Sequence, residues 1–141
     1  MNVYLADMPS KIVVYLAGKM AGLTRVEMCG WRKWAKKFLE HPWIEILDPT
    51  VLPADASARK IVESNKGMIC KSDVVLAEFN HLDPSLGTVG EIVYAQTIRK
   101  PVVAWGAARE IMKNPWVKEH ITKRVETLEE AVKYILSGVA R

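Results

Sequence analysis

Glu91 ends the run Thr88-Val-Gly-Glu91, which places a threonine three residues ahead of a glutamate just before the apolar stretch Ile92-Val-Tyr-Ala95. Two chemistries fit that spacing. As the third residue of a helix capped by Thr88, Glu91 returns a hydrogen bond to the cap backbone. As a carboxylate in a helix's first turn it is kept ionised by the helix field and can attack or stabilise the cationic carbon of a sugar. Position alone leaves both open. Gly87 and Gly90 precede it, and Gly18 and Gly22 form a second pair upstream; each pair falls at a strand-to-helix turn, where backbone amides and a helix N-terminus can hold an anion. Neither pair reproduces GxxxxGK followed by Ser or Thr, nor GxGxxG with a following acid, so nucleoside triphosphate hydrolysis and dinucleotide redox chemistry lack their motifs. Ser85, in Pro84-Ser-Leu-Gly87, can add its hydroxyl to those amides around a phosphate.

Other polar residues carry weaker signals. Tyr15 lies within an apolar run and either fills core or directs its hydroxyl at a carboxylate. Glu78 ends a strand beside the expected cleft and is a candidate for a second polar contact with substrate. Asp73, at the start of the same strand, reads first as an anchor for local backbone donors. His41, His81 and His120 are too scattered for a metal site, and no serine or cysteine near them makes a triad. Neither metal nor cofactor is expected.

These residues need a scaffold. Residues 11–17 (KIVVYLA) form a β-branched apolar run ending at Gly18, which predicts a strand buried on both faces. Thr24-Arg-Val-Glu27 has capping-box spacing, and Met28, Trp31, Ala35 and Phe38 then recur at helical intervals up to His41-Pro42. Residues 43–47 read as a second strand, and a helix over 57–70 aligns Ile61, Asn65 and Met68 on one side. Residues 73–78 and 101–105 read as further strands, with a helix from Thr88 to about Arg99 between them. In the tail, Ile121, Val125, Leu128, Val132 and Ile135 step by four and three, which predicts one amphipathic closing helix. Alternating strands and helices imply parallel pairing with right-handed crossovers, and so a three-layer α/β sandwich around a small Rossmann-like, flavodoxin-like sheet. Such a sheet puts its site beyond the carboxyl ends of the strands, where the loops after residues 17, 78 and 105 converge.

At 141 residues the chain suits a single domain over 1–141, with 1–10 a possible extra N-terminal segment. Hydrophobic residues make up 50% and charged residues 26%, unlike a disordered chain. The net charge of +4 admits a phosphate-bearing ligand without indicating a nucleic-acid polymer as partner. Arg32-Lys33, Lys36-Lys37, Arg59-Lys60 and Arg99-Lys100 read as solvated faces. Two cysteines, Cys29 and Cys70, exclude a disulfide framework, read as small core residues and point to a cytoplasmic setting. No run approaches the roughly 20 apolar residues that span a bilayer, so no membrane partner is expected.

Tyr15-Leu-Ala-Gly18, Lys71-Ser-Asp73-Val-Val-Leu-Ala-Glu78, Pro84-Ser-Leu-Gly87, Gly90-Glu91 and Lys100-Pro-Val-Val103 together resemble the nucleoside 2-deoxyribosyltransferase superfamily, including its nucleotide N-glycosidase branch. The resemblance covers most of residues 11–105. It implies that Glu91 is a nucleophile forming a glycosyl-enzyme intermediate and that Tyr15 orients it. It implies too that the loop Gly18, Lys19, Met20 to Gly22 surrounds the 5′ end of the ligand, and that Ser85 and Gly87, near Gly90, contact its phosphate. The family usually has an aspartate near Asn65, where it aids proton transfer at the base. An amide cannot act as that acid, although it can position substrate. Glu78 or Asp83 then substitutes, or the leaving base needs less help, or the standard activity is lost. Asn114 matches an Asn or Ser that a neighbouring subunit supplies, which implies a homodimer or higher homo-oligomer. The resemblance thus implies N-glycosidic cleavage of a (deoxy)nucleoside 5′-monophosphate. The alternatives are 2-deoxyribosyl transfer between bases and a nucleotide-binding protein without catalysis. Trp31 and Trp34 are available to cover a partner surface.

Overall fold

A computed structural model describes residues 11–53, 55–81 and 85–139. The first ten residues and Asp83 lie outside the described residues, so neither the N-terminal segment nor that candidate acid is placed.

Five strands, β1 (Ile12–Ala17), β2 (Ile44–Leu47), β3 (Val74–Glu78), β4 (Val102–Trp105) and β5 (Lys123–Val125), pair in parallel in the order β2-β1-β3-β4-β5. The sheet is the expected flavodoxin-like one, with its chain-order reversal between β1 and β3. Helices α1 (Arg25–Phe38), α2 (Ala58–Lys71), α3 (Leu86–Thr97), α4 (Arg109–Met112), α5 (Pro115–Lys118) and α6 (Leu128–Tyr134) complete the layers. Alternation along β1 divides the core. Val14 and Leu16 pack with Ala35 and Leu39 of α1 and Ala131 and Val132 of α6. Tyr15 and Ala17 turn to the other face, with Ile69 of α2 and Ile92 and Ala95 of α3. The two-residue period of the first strand therefore delivers the Tyr15 ring to the face that carries α3.

The expected capping box of α1 is present: Thr24 Oγ1 accepts from Glu27 N at 3.2 Å and Glu27 Oε1 accepts from Thr24 N at 3.0 Å. Asp73 anchors the sheet as expected, its Oδ2 accepting from Val13 N at 2.8 Å while its own N–H bonds Val13 O at 2.7 Å.

Four expectations are corrected. The tail is not one helix: residues 123–125 form β5 on the sheet edge, and Thr127 caps the separate α6. Thr122 sets that edge, its Oγ1 accepting from Val102 N at 2.9 Å and from Gln96 Nε2 at 2.8 Å. The buried stripe of α1 runs through Arg32, Ala35 and Leu39, leaving Phe38 at the surface. Arg32 is not on a solvated face; it is 1% exposed. Cys70 is exposed and Cys29 partly so, because each falls on the outer flank of its helix. Of the two tryptophans, Trp31 packs edge-on against Trp105 while Trp34 stays 53% exposed.

Candidate active site

A cleft of about 860 Å³ opens at the carboxyl end of the sheet, beside the β1/β3 reversal. Its walls come from the loop after β1, the Pro49–Val51 turn after β2, α2, and the start of α3. On α3, Gly87, Gly90, Glu91 and Tyr94 line it at positions i, i+3, i+4 and i+7, one face of a helix, while Ile92 and Ala95 are buried beneath. On α2, Ile61, Asn65 and Ile69 do the same at steps of four.

The Tyr15 hydroxyl donates to Glu91 Oε2 across the base of this cleft. Burial pushes the Glu91 carboxyl from the ordinary 4.5 up to about 7, outweighing the Tyr15 hydrogen bond, the Arg32 charge and a hydrogen bond from Asn65, all of which favour the ionised form. The same burial, with the adjacent carboxylate, drives the Tyr15 phenol far above its usual range, so it stays a donor. Of the two readings of Glu91, capping is not realised: Ser85 caps α3, its Oγ accepting from Thr88 N at 3.3 Å, and Glu91 is turned inward.

Ser85, Gly87 and Gly90 all reach the cleft wall. Neither Gly87 nor Gly90 has a positive φ, and a Cβ on either would meet nothing within 4 Å. Backbone strain and packing therefore do not require glycine there. What their missing side chains provide is room beside Glu91. Gly18 is different, since a Cβ would lie 2.9 Å from the Trp31 ring. Gly18, Lys19 and Met20 line the cleft, whereas Gly22 turns the exposed loop with φ of 78° and is not part of the lining.

Two candidates stand elsewhere. Glu78 is buried away from the cleft, with Oε1 accepting from Asn80 N at 3.3 Å and Oε2 3.3 Å from His81 Nε2. As the last residue of β3 its side chain folds back on the chain that follows it, so it does not stand in for an acid at Asn65. Asn114 is exposed and caps α5, accepting from Trp116 N at 2.9 Å, and takes no part in the cleft of its own chain. Among the described residues no cluster of His, Cys, Asp or Glu is arranged to hold a metal.

Arg25, Lys66 and Arg32 were not legible as site residues. Arg25 and Lys66 join Lys19 on the cleft wall, where Glu91 is the carboxylate among the described lining residues. Arg25 is steadied by a 2.9 Å bond from Nη1 to Thr50 O, and Lys66 lies over the Tyr94 ring at 5.2 Å. Beneath the site, the Arg32 guanidinium donates to Met28 O at 2.7 Å, Gly18 O at 3.2 Å and Leu16 O at 3.4 Å. Its Nε sits 3.7 Å from Asp48 Oδ1, and Lys36 Nζ is 2.6 Å from Oδ2. Burial works against the Asp48 charge, but bonds from Lys36 and Thr50 prevail and hold its carboxyl below the usual range. Arg32 thus ties down the end of β1 and places a positive charge near Tyr15 and Glu91. Its signal was present: positions 28, 32, 35 and 39 step by four, three and four, the same stripe as the apolar residues.

Among the described residues no helix is long and apolar enough to cross a membrane. The fold is shared with a conserved protein from Enterococcus faecalis, at 15% identity over 91% of this chain and 99% of that one, with a TM-score of 0.69. A 2-deoxyribosyltransferase from Bacillus psychrosaccharolyticus is similar at 15% identity, 86% and 91% coverage and a TM-score of 0.69. A CMP N-glycosidase from Clostridium botulinum is similar at 16% identity, 89% and 98% coverage and a TM-score of 0.60. No curated protein matches at the level of sequence. Residues 14–133, which run from β1 to α6 and include every residue placed in the cleft, match the pattern of the nucleoside 2-deoxyribosyltransferases, and the chain belongs to that family.

Proposed function

We propose that this cleft cleaves the N-glycosidic bond of a nucleoside 5′-monophosphate, with Glu91 as nucleophile. The observation that carries the reading is a carboxylate held by Tyr15 at the inner end of a cleft whose other charged lining residues, among those described, are the cations Lys19, Arg25 and Lys66. A ligand with an electrophilic carbon at one end and a dianion at the other complements that arrangement. Ser85 and the first-turn amides of α3 add neutral donors for the phosphate.

In the reaction, an ionised Glu91 oxygen bonds to C1′ as the C1′–N bond breaks, and the bonding pair leaves on the base nitrogen, which takes a proton from water. Tyr15 fixes the attacking group, and the carboxylate stabilises the oxocarbenium-like charge. A second water then attacks C1′, Glu91 departs as carboxylate, and the water's proton neutralises the hydroxide left by the first step. The balance is nucleotide plus water to free base plus sugar 5-phosphate. Family membership favours one companion reading, in which a second base reaches C1′ before water and the outcome is exchange. Chromatography of ribo- and deoxyribonucleoside monophosphates incubated with the protein, with and without a second base, tests both. Free base and sugar phosphate are expected. Intact nucleotide after long incubation would reject the reading.

A further inference from the structure

Asn65 stands where proton transfer to the leaving base would ordinarily be sought, yet its own surroundings point to the sugar. Its side chain hydrogen-bonds the Glu91 carboxylate. An ionised carboxylate only accepts, so the Asn65 NH₂ faces Glu91 and the amide oxygen is left over. That oxygen, Oδ1, is buried and has no partner, although Asn65 lines the cleft. A buried carbonyl without a donor is costly, and a small turn of the amide brings this one to the cleft, where a ligand can supply the donor.

Stereochemistry decides which donor. On the reading proposed above, on which this inference rests, the base of a β-nucleotide leaves from one face of the ribose and Glu91 attacks from the opposite face. A group bonded to Glu91 lies on that attacking face, away from the base. The 2′-hydroxyl of ribose projects from the same face, one bond from C1′. In 2-deoxyribose it is missing, and in arabinose it points to the base side.

We infer that Asn65 Oδ1 accepts a hydrogen bond from the ribose 2′-hydroxyl, making Asn65 the residue that selects ribonucleotides. With its amide bridging nucleophile and hydroxyl, Asn65 also sets the distance between Glu91 and C1′. Sites built to bond a substrate hydroxyl discriminate strongly against analogues lacking it, because the protein group is then stranded.

The test compares kcat/KM for ribo-, arabino- and 2′-deoxyribonucleoside 5′-monophosphates of one base, in the wild type, Asn65→Leu and Asn65→Ser. A 2′-hydroxyl withdraws electrons from C1′ and slows cleavage in any setting, so the readout is the change in ratio between protein forms. Asn65→Leu, which keeps the branched side-chain shape, should lower the ribonucleotide value about tenfold or more beyond its effect on the other two. Asn65→Ser, which keeps a small acceptor, should fall between. Equal losses on all three sugars would overturn the inference while leaving base release, and so the proposed function, intact. Should the wild type release no base, calorimetry with ribose 5-phosphate and 2-deoxyribose 5-phosphate still decides: about tenfold tighter binding of ribose 5-phosphate, lost in Asn65→Leu, supports the role, and equal affinity refutes it.

Discussion

Replacing Glu91 by Gln should remove activity and make the protein more stable at alkaline pH. The native state keeps the Glu91 proton up to about pH 7, whereas the unfolded chain releases it near the ordinary 4.5. Between those values the folded protein binds more protons, so its stability falls as pH rises, with the favourable contribution complete below 4.5 and lost above 7. The full displacement corresponds to about 3 kcal/mol, and water in the open cleft screens part of it, leaving about 1–3 kcal/mol. Gln avoids that cost: its carbonyl accepts from Tyr15, and once the Asn65 amide turns over, its NH₂ donates to Asn65 Oδ1. Urea denaturation at half-unit steps from pH 5 to pH 9 reads this directly. The two proteins should have similar stability at pH 5, and the variant should lead by about 1–3 kcal/mol at pH 8.5, or roughly 3–10 °C in Tm. Turnover should drop at least about a thousandfold. A variant less stable than the wild type at pH 8.5, or a wild-type curve flat from pH 5 to 8, would refute the reasoning about Glu91.

Since Glu91 attacks when ionised, kcat/KM should rise with pH and reach half its plateau near 7; Tyr15→Phe removes a bond to the charged form and should move that limb up by about one unit, measured as a pH–rate profile. Arg32→Met strips the donors from Leu16 O and Gly18 O and leaves Asp48 with Lys36 as its one charged partner; chemical denaturation should show a loss of about 2–4 kcal/mol. Gly106→Ala places a Cβ 2.3 Å from Phe79 O at φ of 134°, so its Tm should fall by the equivalent of about 2 kcal/mol or more, whereas Gly90→Ala, with open space around it, should leave Tm nearly unchanged.

The sheet was legible because β1 and β3 are short β-branched runs flanked by helical spacing, a pattern that parallel sheets impose. Tyr15 and Glu91 could each be singled out, but their contact comes from strand parity and the packing of α3, which no local pattern encodes. Arg32 reads as a solvated cation from its charge, although it sits on the apolar stripe. Burial of a guanidinium depends on the Leu16 and Gly18 carbonyls and Asp48 arriving from elsewhere in the chain, beside Met28 O one turn back. The edge strand β5 was hidden by Ile121 and Val125, whose helical step continues into α6. Thr127-Leu-Glu-Glu130, a threonine three residues before a glutamate, marked the true helix start. For α3, both Ser85 and Thr88 are capping residues, and the choice fell to Ser85 once the cleft drew Glu91 inward.

A covalent bond between Glu91 and the sugar can be sought by acid quench during turnover of a nucleoside 5′-monophosphate, followed by peptide mass spectrometry. The account predicts a sugar-phosphate adduct on the peptide containing Glu91, present in the wild type and missing from Glu91→Gln. Base release with an adduct on another residue, or undiminished release by Glu91→Gln, would contradict it.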